Sequence, residues 1–210
     1  MKKIYIITGH YGCGKTSFSV ELAFEMNRRG YKTAIADVDI VNPYFRTADY
    51  RKQLEKSGIS VYSTLYAGTN LDIPAVTLDL EAVISGHDAV ILDVGGDAAG
   101  AAVLGRFHDV IGRYEDIAEM IYVINRYRET GADADEALAL MHEIEYASGI
   151  RHTGIVNNSN IGNVTTAEDI MASLEFADKV SALSGLPVLC HTADKRLKCR
   201  QLDGLVKYIF

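Results

Sequence analysis

The chain has 210 residues, of which 48% are hydrophobic and 23% charged; that is enough length for one large domain with a buried core, and too apolar a composition for a disordered segment. The formal net charge of −7 argues against a surface built to neutralise many nucleic-acid phosphates, so no nucleic-acid partner is expected. The three cysteines, Cys13, Cys190 and Cys199, are too few and too scattered for a disulfide framework, and no C-x-x-C pair suggests structural zinc.

A reducing, cytoplasmic setting fits this cysteine usage. No stretch approaches the roughly 18 unbroken apolar residues of a membrane-spanning helix. After Lys2-Lys3 the N-terminus enters a strand pattern without a cleavable apolar leader, so a soluble, untargeted protein is expected.

Short β-branched runs alternate with longer segments of helical period, which predicts βαβ units on a mostly parallel, twisted sheet covered by helices on both faces. Ile4 to Thr8 reads as the first strand, and Lys15 to Arg29 as a helix with Phe18, Leu22 and Met26 on its buried face, stopped by Gly30. Thr33 to Asp37 and Ile59 to Ser63 read as the next strands. Between them lies the start of a loop insertion, Val41 to Thr77, which holds Pro43 and Pro74.

Ala89 to Asp93 (AVILD) is apolar until its last residue, as expected of a central strand. Met120 to Ile124, Thr153 to Asn157 and Pro187 to His191 complete the strands, with helices near Asp133 to Ser148 and Thr166 to Ser184. Leu197 to Ile209 reads as a closing helix, and the whole of 1–210 as a single domain.

The segment Gly9-His10-Tyr11-Gly12-Cys13-Gly14-Lys15-Thr16 matches G-x-x-x-x-G-K-[ST] in full, between a predicted strand and a predicted helix. Glycines at 9, 12 and 14 let successive N–H groups turn inward toward phosphate oxygens, and the helix that begins there adds its positive N-terminal end. Lys15 then reaches the β- and γ-phosphates, Thr16 offers a hydroxyl to magnesium, and Ser17 follows in the first turn. This is a phosphate-binding loop for a nucleoside triphosphate.

Magnesium and an attacking water call for carboxylates opposite such a loop, and the tips of neighbouring parallel strands can supply them. Asp37-Val38-Asp39 ends the second strand, and alternation sends both acids to one side. Asp93 ends the AVILD strand and is followed by Val94-Gly95-Gly96-Asp97, where two glycines allow a backbone N–H to approach a γ-phosphate and let the turn move when it leaves.

Together GHYGCGKT, TAIADVDIVNPYF and ILDVGGD resemble, in this order, the MinD/ParA and CobQ-type group of P-loop ATPases (a SIMIBI-like nucleotide-binding domain). The resemblance covers most of the chain and is strongest before Asp97. It implies ATP with Mg2+, a loop lysine and threonine at Lys15 and Thr16, and face-to-face homodimers around the nucleotide. By the same resemblance Asp39 looks like the carboxylate that orients the attacking water, Asp37 and Asp93 like the magnesium-side acids, and Gly95 and Gly96 like the second switch. Base contacts in similar proteins come from loops after late strands, here Asn157, Asn158 and Thr192-Ala193.

One residue departs from the pattern. Many members carry a lysine early in the loop that reaches the partner's nucleotide, where this chain has His10. A protonated His10 could donate to a phosphate instead. Cys13, near a helix N-terminus, is a candidate for a lowered thiol pKa. Asn42-Pro43-Tyr44-Phe45-Arg46 is a candidate first switch, and Gly68 to Asp72 a possible part of the same mouth. Cys190, His191 and Cys199 offer metal-ligand types without recognised zinc spacing.

The leading reading is an ATP-dependent switch acting on a protein partner. Its alternatives are a small-molecule kinase, ligase or amidation enzyme, and an assembly or metal-delivery module without turnover. The C-terminal segment Leu202 to Phe210 has one basic residue and a glycine, so no membrane partner is expected.

Overall fold

The computed structural model describes residues 2–38, 47–63, 78–96 and 98–209. In chain order they form β1 (Lys3–Thr8), α1 (Lys15–Arg28), β2 (Thr33–Asp37), α2 (Thr47–Lys56), β3 (Ser60–Ser63), α3 (Leu80–Gly86), β4 (Ala89–Asp93), α4 (Ala98–Gly105) and α5 (His108–Gly112). There follow β5 (Ala118–Ile124), α6 (Ala134–Ser148), β6 (Gly154–Asn157), α7 (Ala167–Ser184), β7 (Val188–Asp194) and β8 (Val206–Ile209). The eight strands make one sheet in the order β3-β2-β4-β1-β5-β6-β7-β8, and all neighbouring pairs run parallel.

Strand alternation divides the core in two. Ile4, Ile6, Ala34, Ala36, Val90, Leu92 and Met120 face one side, where they meet Leu104 of α4, Met141 and Ile144 of α6 and Phe176 of α7. Tyr5, Ile7, Ile35, Ile91, Ile121 and Val123 face the other, against Phe18, Leu22 and Met26 of α1 and Leu54 of α2. Both faces are covered, so the central strands are apolar throughout, as the AVILD run anticipates.

Local sequence sets the helix ends. Thr166 and Asp169 form a capping box before α7, and Gly185 closes that helix in the left-handed region. Asp133 caps α6 by accepting from the Asp135 N–H, and Gly149 ends it. No helix among the described residues is long and apolar enough to cross a membrane.

One expectation fails. Leu197 to Ile209 is not a closing helix: a single 3-10 turn at Lys195–Leu197 is followed by turns and then by β8. Gly204, at φ 78°, stops any helix there, and the Val206–Ile209 run that follows is rich in β formers. The outer edge of β7 gives that run a ladder, from His191 opposite Val206 to Asp194 opposite Ile209. Leu202, fully buried, packs with Ile170 and Ala193 beneath it.

The predicted insertion also contains more order than a loop, since α2 and β3 both fall inside it. Asp39, the Asn42 to Arg46 segment, Gly68 to Asp72 and Asp97 lie outside the described residues.

Candidate functional site

The chain leaves β1 for β2 on one side of β1, and later returns from β4 to β5 on its other side. A parallel sheet binds ligands where the winding reverses in this way, beyond the carboxyl ends of the strands. The segment leaving β1 at that place is Gly9 to Gly14, and it ends in α1.

Gly9, Gly12 and Gly14 all have positive φ, at 139°, 80° and 87°. Gly14 is the helix N-cap, and no side chain among the described residues caps α1, whose first turn holds no acid. Its leading N–H groups therefore meet the cavity with their positive end uncompensated, an arrangement suited to an anion. Lys15 is buried and arches back so that Nζ donates to the His10 carbonyl at 3.0 Å. Thr16 and Ser17 are half-buried in the first turn.

Asp37 and Asp93 stand opposite each other in register at the tips of β2 and β4, and both are buried. The Ser19 hydroxyl donates to Asp93 Oδ1 at 3.1 Å. Ser19 lies three residues after Thr16 and so shares its helix face, which puts the Asp93 carboxylate beneath the start of α1. A hydroxyl and carboxylates are hard oxygen donors of the kind magnesium takes in small number, alongside phosphate oxygens.

The turn after β4 crowds this loop. A Cβ at Gly96 would lie 2.7 Å from Lys15 Nζ and 2.8 Å from the Tyr11 nitrogen. Tyr11 itself is 70% exposed at the rim.

The side chains of His10 and Cys13 point elsewhere. His10 is 2% exposed. Its Nδ1 donates to the Tyr11 carbonyl at 2.9 Å, while Nε2 is buried without a hydrogen-bond partner. Burial pushes its pKa down, more than the Tyr11 bond raises it, so the imidazole is neutral and supplies no cation. Cys13 is enclosed in the core beside Ile7 and Val123, and burial raises its thiol pKa despite the helix end and nearby Lys15. The expected activation of this thiol does not occur.

The two asparagines after β6 have different roles. Asn157 turns into the protein, donating from Nδ2 to Ser173 Oγ at 3.0 Å and accepting the Ser159 N–H. Asn158 instead donates from Nδ2 to the Cys13 carbonyl at 2.8 Å and accepts from the Thr192 hydroxyl at 2.5 Å. It ties the glycine turn to the tip of β7. Beside it opens a cavity of about 280 Å3, bordered by Gly12, Gly14, Ser17, Asn163, Thr192 and Ala193.

Arg128, Asp194 and Arg196 also border this cavity, and sequence reasoning missed all three. Asn125 fixes the neighbouring turns, since its Oδ1 accepts from the N–H groups of Tyr127 and Asn160 and its Nδ2 donates to the Asn160 carbonyl. A usable signal was there: Asn125 is the polar residue that directly follows β5, as Asn158 directly follows β6.

Thr8, the last residue of β1, belongs to a buried relay. Its hydroxyl is 2.7 Å from His152 Nε2, and His152 Nδ1 donates to Glu145 Oε1 at 3.1 Å. Burial depresses the His152 pKa in spite of the carboxylate, and the His152 hydrogen bond lowers that of Glu145. His10 and His152 both bind protons more readily in the unfolded chain, near the ordinary 6.5. Their stabilisation is therefore complete above that value and is lost as pH falls toward their folded-state pKa. Glu145 adds a loss in the same direction at lower pH. Thermal melts should show Tm falling on going from about pH 7.5 to about pH 5.5; a Tm that rises on acidification would contradict these buried neutral imidazoles.

Parallel sheet, glycine turn and uncapped helix start define a P-loop NTPase-like α/β protein. The chain belongs to the CobQ/CobB/MinD/ParA nucleotide-binding domain family, whose pattern it matches over residues 4–190. Among curated proteins no match was found.

Similar solved structures include cell division protein FtsY from Thermotoga maritima, at TM-score 0.60 and 21% identity over 93% of this chain and 63% of that one. FtsY from Elizabethkingia anophelis in complex with GDP gives 0.60 and 17% over 97% and 60%. The signal recognition particle 54 kDa protein from Aeropyrum pernix, also with GDP, gives 0.56 and 19% over 90% and 41%. The chain spans less than two thirds of the length of these neighbours, and at such identities the likeness is one of fold.

Proposed function

We propose that residues 1–210 form one domain that binds ATP with magnesium, hydrolyses it, and acts as a nucleotide-dependent switch for a protein partner. The observation that carries this reading is the uncompensated start of α1, with Lys15 folded back onto the His10 carbonyl and Ser19 of the same helix bonded to Asp93, which stands in register with Asp37. The amides from Gly12 to Thr16 hold phosphate oxygens, and Lys15 exchanges its His10 carbonyl for the β- and γ-oxygens. Thr16, Asp37 and Asp93 are the residues that would hold magnesium. When bound, the ion would supply neutralisation of charge on the phosphates. Asp39 orients the attacking water.

The nearness of Gly96 to Lys15 and Tyr11 supports the switch. A γ-phosphate reaching Lys15 meets the turn after β4, so its arrival and loss favour different positions of that turn. The exposed Tyr11 ring at the rim is suited to a partner's surface, a second copy of this chain included.

For the base, guanine offers two adjacent donors that a carboxylate reads well, whereas adenine suits an amide or main-chain groups. Asp194 is the one carboxylate among the described residues bordering the cavity, and it is occupied by Arg196 through Nε at 2.9 Å and Nη2 at 2.5 Å. Asn163 contributes an exposed amide. These residues favour ATP, although two of the structural neighbours hold GDP.

Calorimetry with Mg-ATP and Mg-GTP tests the assignment, combined with phosphate release by Asp39→Ala. Tighter binding of ATP is expected, with ATP affinity retained and hydrolysis lost in the variant. Equal affinity for GTP removes the base assignment, and undiminished hydrolysis removes the role of Asp39.

A further inference from the structure

The loop position where the resemblance leads one to expect a lysine holds His10, and its imidazole is neutral, buried and turned away from the cavity. Beside magnesium and the loop amides, Lys15 is then the one charged side chain that the loop itself brings to the oxygens on which charge gathers. Another cation stands at the same mouth. Arg128 comes from the turn after β5, is exposed, and borders the cavity together with Gly12, Gly14 and Ser17.

Its distance from the loop is short. A Cβ at Gly12 would lie 3.5 Å from Arg128 Nε and 3.6 Å from Cζ. The turn that carries it is held at three points, by Arg128 N–H to the Asn125 carbonyl at 3.3 Å, by Tyr127 N–H to Asn125 Oδ1 at 3.0 Å, and by the Tyr127 hydroxyl to the Asp169 carbonyl at 2.7 Å. Arg196, the other arginine at the cavity, is paired with Asp194, and Arg126 donates to the Ala172 carbonyl. Arg128 pairs with no carboxylate among the described residues. A solvated guanidinium held close to a phosphate-binding turn without an acid partner can exchange water for phosphate oxygens without first breaking an ion pair.

We propose that Arg128 is a catalytic arginine supplied in cis, touching the β- and γ-phosphate oxygens in the transition state and taking the place of the lysine missing at position 10. This rests on the hydrolase reading above. In the step it serves, water oxygen adds to the γ-phosphorus and the bond from that phosphorus to the β–γ bridging oxygen breaks. The electron pair stays on the nucleoside diphosphate, and one water proton passes to solvent. Arg128 donates N–H bonds to the oxygens on which charge accumulates, a contribution of about 10³–10⁵ in kcat where such arginines are known. Because it comes from the same chain as the loop, the turnover it supports needs no second subunit.

The test compares wild type with Arg128→Ala and Arg128→Lys. Measured are ATP affinity by calorimetry, single-turnover hydrolysis, rate per subunit across a wide range of protein dilution, and binding of Mg-ADP with aluminium fluoride as a transition-state mimic. Expected are a fall in hydrolysis of at least about a hundredfold in Arg128→Ala, ATP affinity changed by less than about fivefold, and loss of binding of the mimic. Partial recovery of that variant by added guanidinium, little rescue by Arg128→Lys, and a wild-type rate per subunit that does not depend on dilution are also expected.

If wild type hydrolyses and Arg128→Ala matches it, the proposal is overturned while the hydrolase reading stands. The same holds if only ATP affinity falls and kcat does not, for Arg128 would then be a nucleotide clamp. A wild-type rate that vanishes on dilution overturns the cis assignment. If wild type binds but turns over too slowly to measure, undiminished binding of the mimic by Arg128→Ala overturns the proposal. A wild type that binds no nucleotide overturns both readings.

Discussion

Replacing Lys15 with Ala is expected to abolish useful nucleotide binding while leaving the fold intact. The ammonium is the one basic group of the loop itself, and it is held at its centre by the His10 carbonyl. Triphosphate binding would put several negative oxygens at the mouth of α1, where main-chain dipoles and this one side chain compensate them. Removing one partner of a desolvated charge pair costs about 3–5 kcal/mol, which is a loss in affinity of at least about a hundredfold. The apoprotein loses only the bond to His10, about 1 kcal/mol, so its Tm should move by no more than about 4 °C. Calorimetry and a thermal melt of the same variant separate these effects. Nanomolar or micromolar affinity unchanged from wild type would mean that phosphates bind elsewhere.

The second large effect is expected at Gly9, the residue that turns the chain out of β1. A Cβ there would lie 2.2 Å from the carbonyl oxygen of Val123, near the carboxyl end of the buried neighbouring strand β5, and its φ of 139° is one that side chains rarely adopt. The obstacle is main chain of a central strand, so neither element can yield without parting the ends of β1 and β5. Backbone strain of about 1–3 kcal/mol adds to overpacking of about 1–3 kcal/mol, against a total stability of about 5–15 kcal/mol. Gly9→Ala should therefore lower Tm by about 5–20 °C. Gly30→Ala serves as a control, because Gly30 also has positive φ but meets nothing within 4 Å. Equal melting temperatures for the two variants would show that the close contact with Val123 does not matter.

The parts of the fold legible in the sequence were those in which one residue type has one physical use. The short runs ending in Asp37 and Asp93 read as strands, AVILD as a central one, and the full glycine-lysine motif marked where the loop and α1 begin. Helix boundaries were readable at Thr166 and Gly185 because caps and left-handed glycines are local chemistry. The segment from Val206 to Ile209 was not, since whether its three β formers pair depends on an available edge of β7, which is a tertiary fact.

The same limit applies to the site. Spacing along the chain singles out Lys15 and Thr16 as candidates, but which way the His10 ring turns, and which of Asn157 and Asn158 faces the cavity, depend on packing between distant segments. Cys13 makes the point in electrostatic terms. Its position at a helix end argues for an acidic thiol, and complete enclosure in the core decides the outcome the other way. Arg128 lies more than a hundred residues along the chain from the loop it approaches, with no motif around it.

Asn158 grips the Cys13 carbonyl with one end of its amide and the Thr192 hydroxyl with the other. A single rigid plane thus joins the segment that would cradle phosphates to the strand tip that would border the base. Drift toward a new purine preference at the strand tip would carry a toll in phosphate grip, so the two traits would evolve as a linked pair instead of as separable modules.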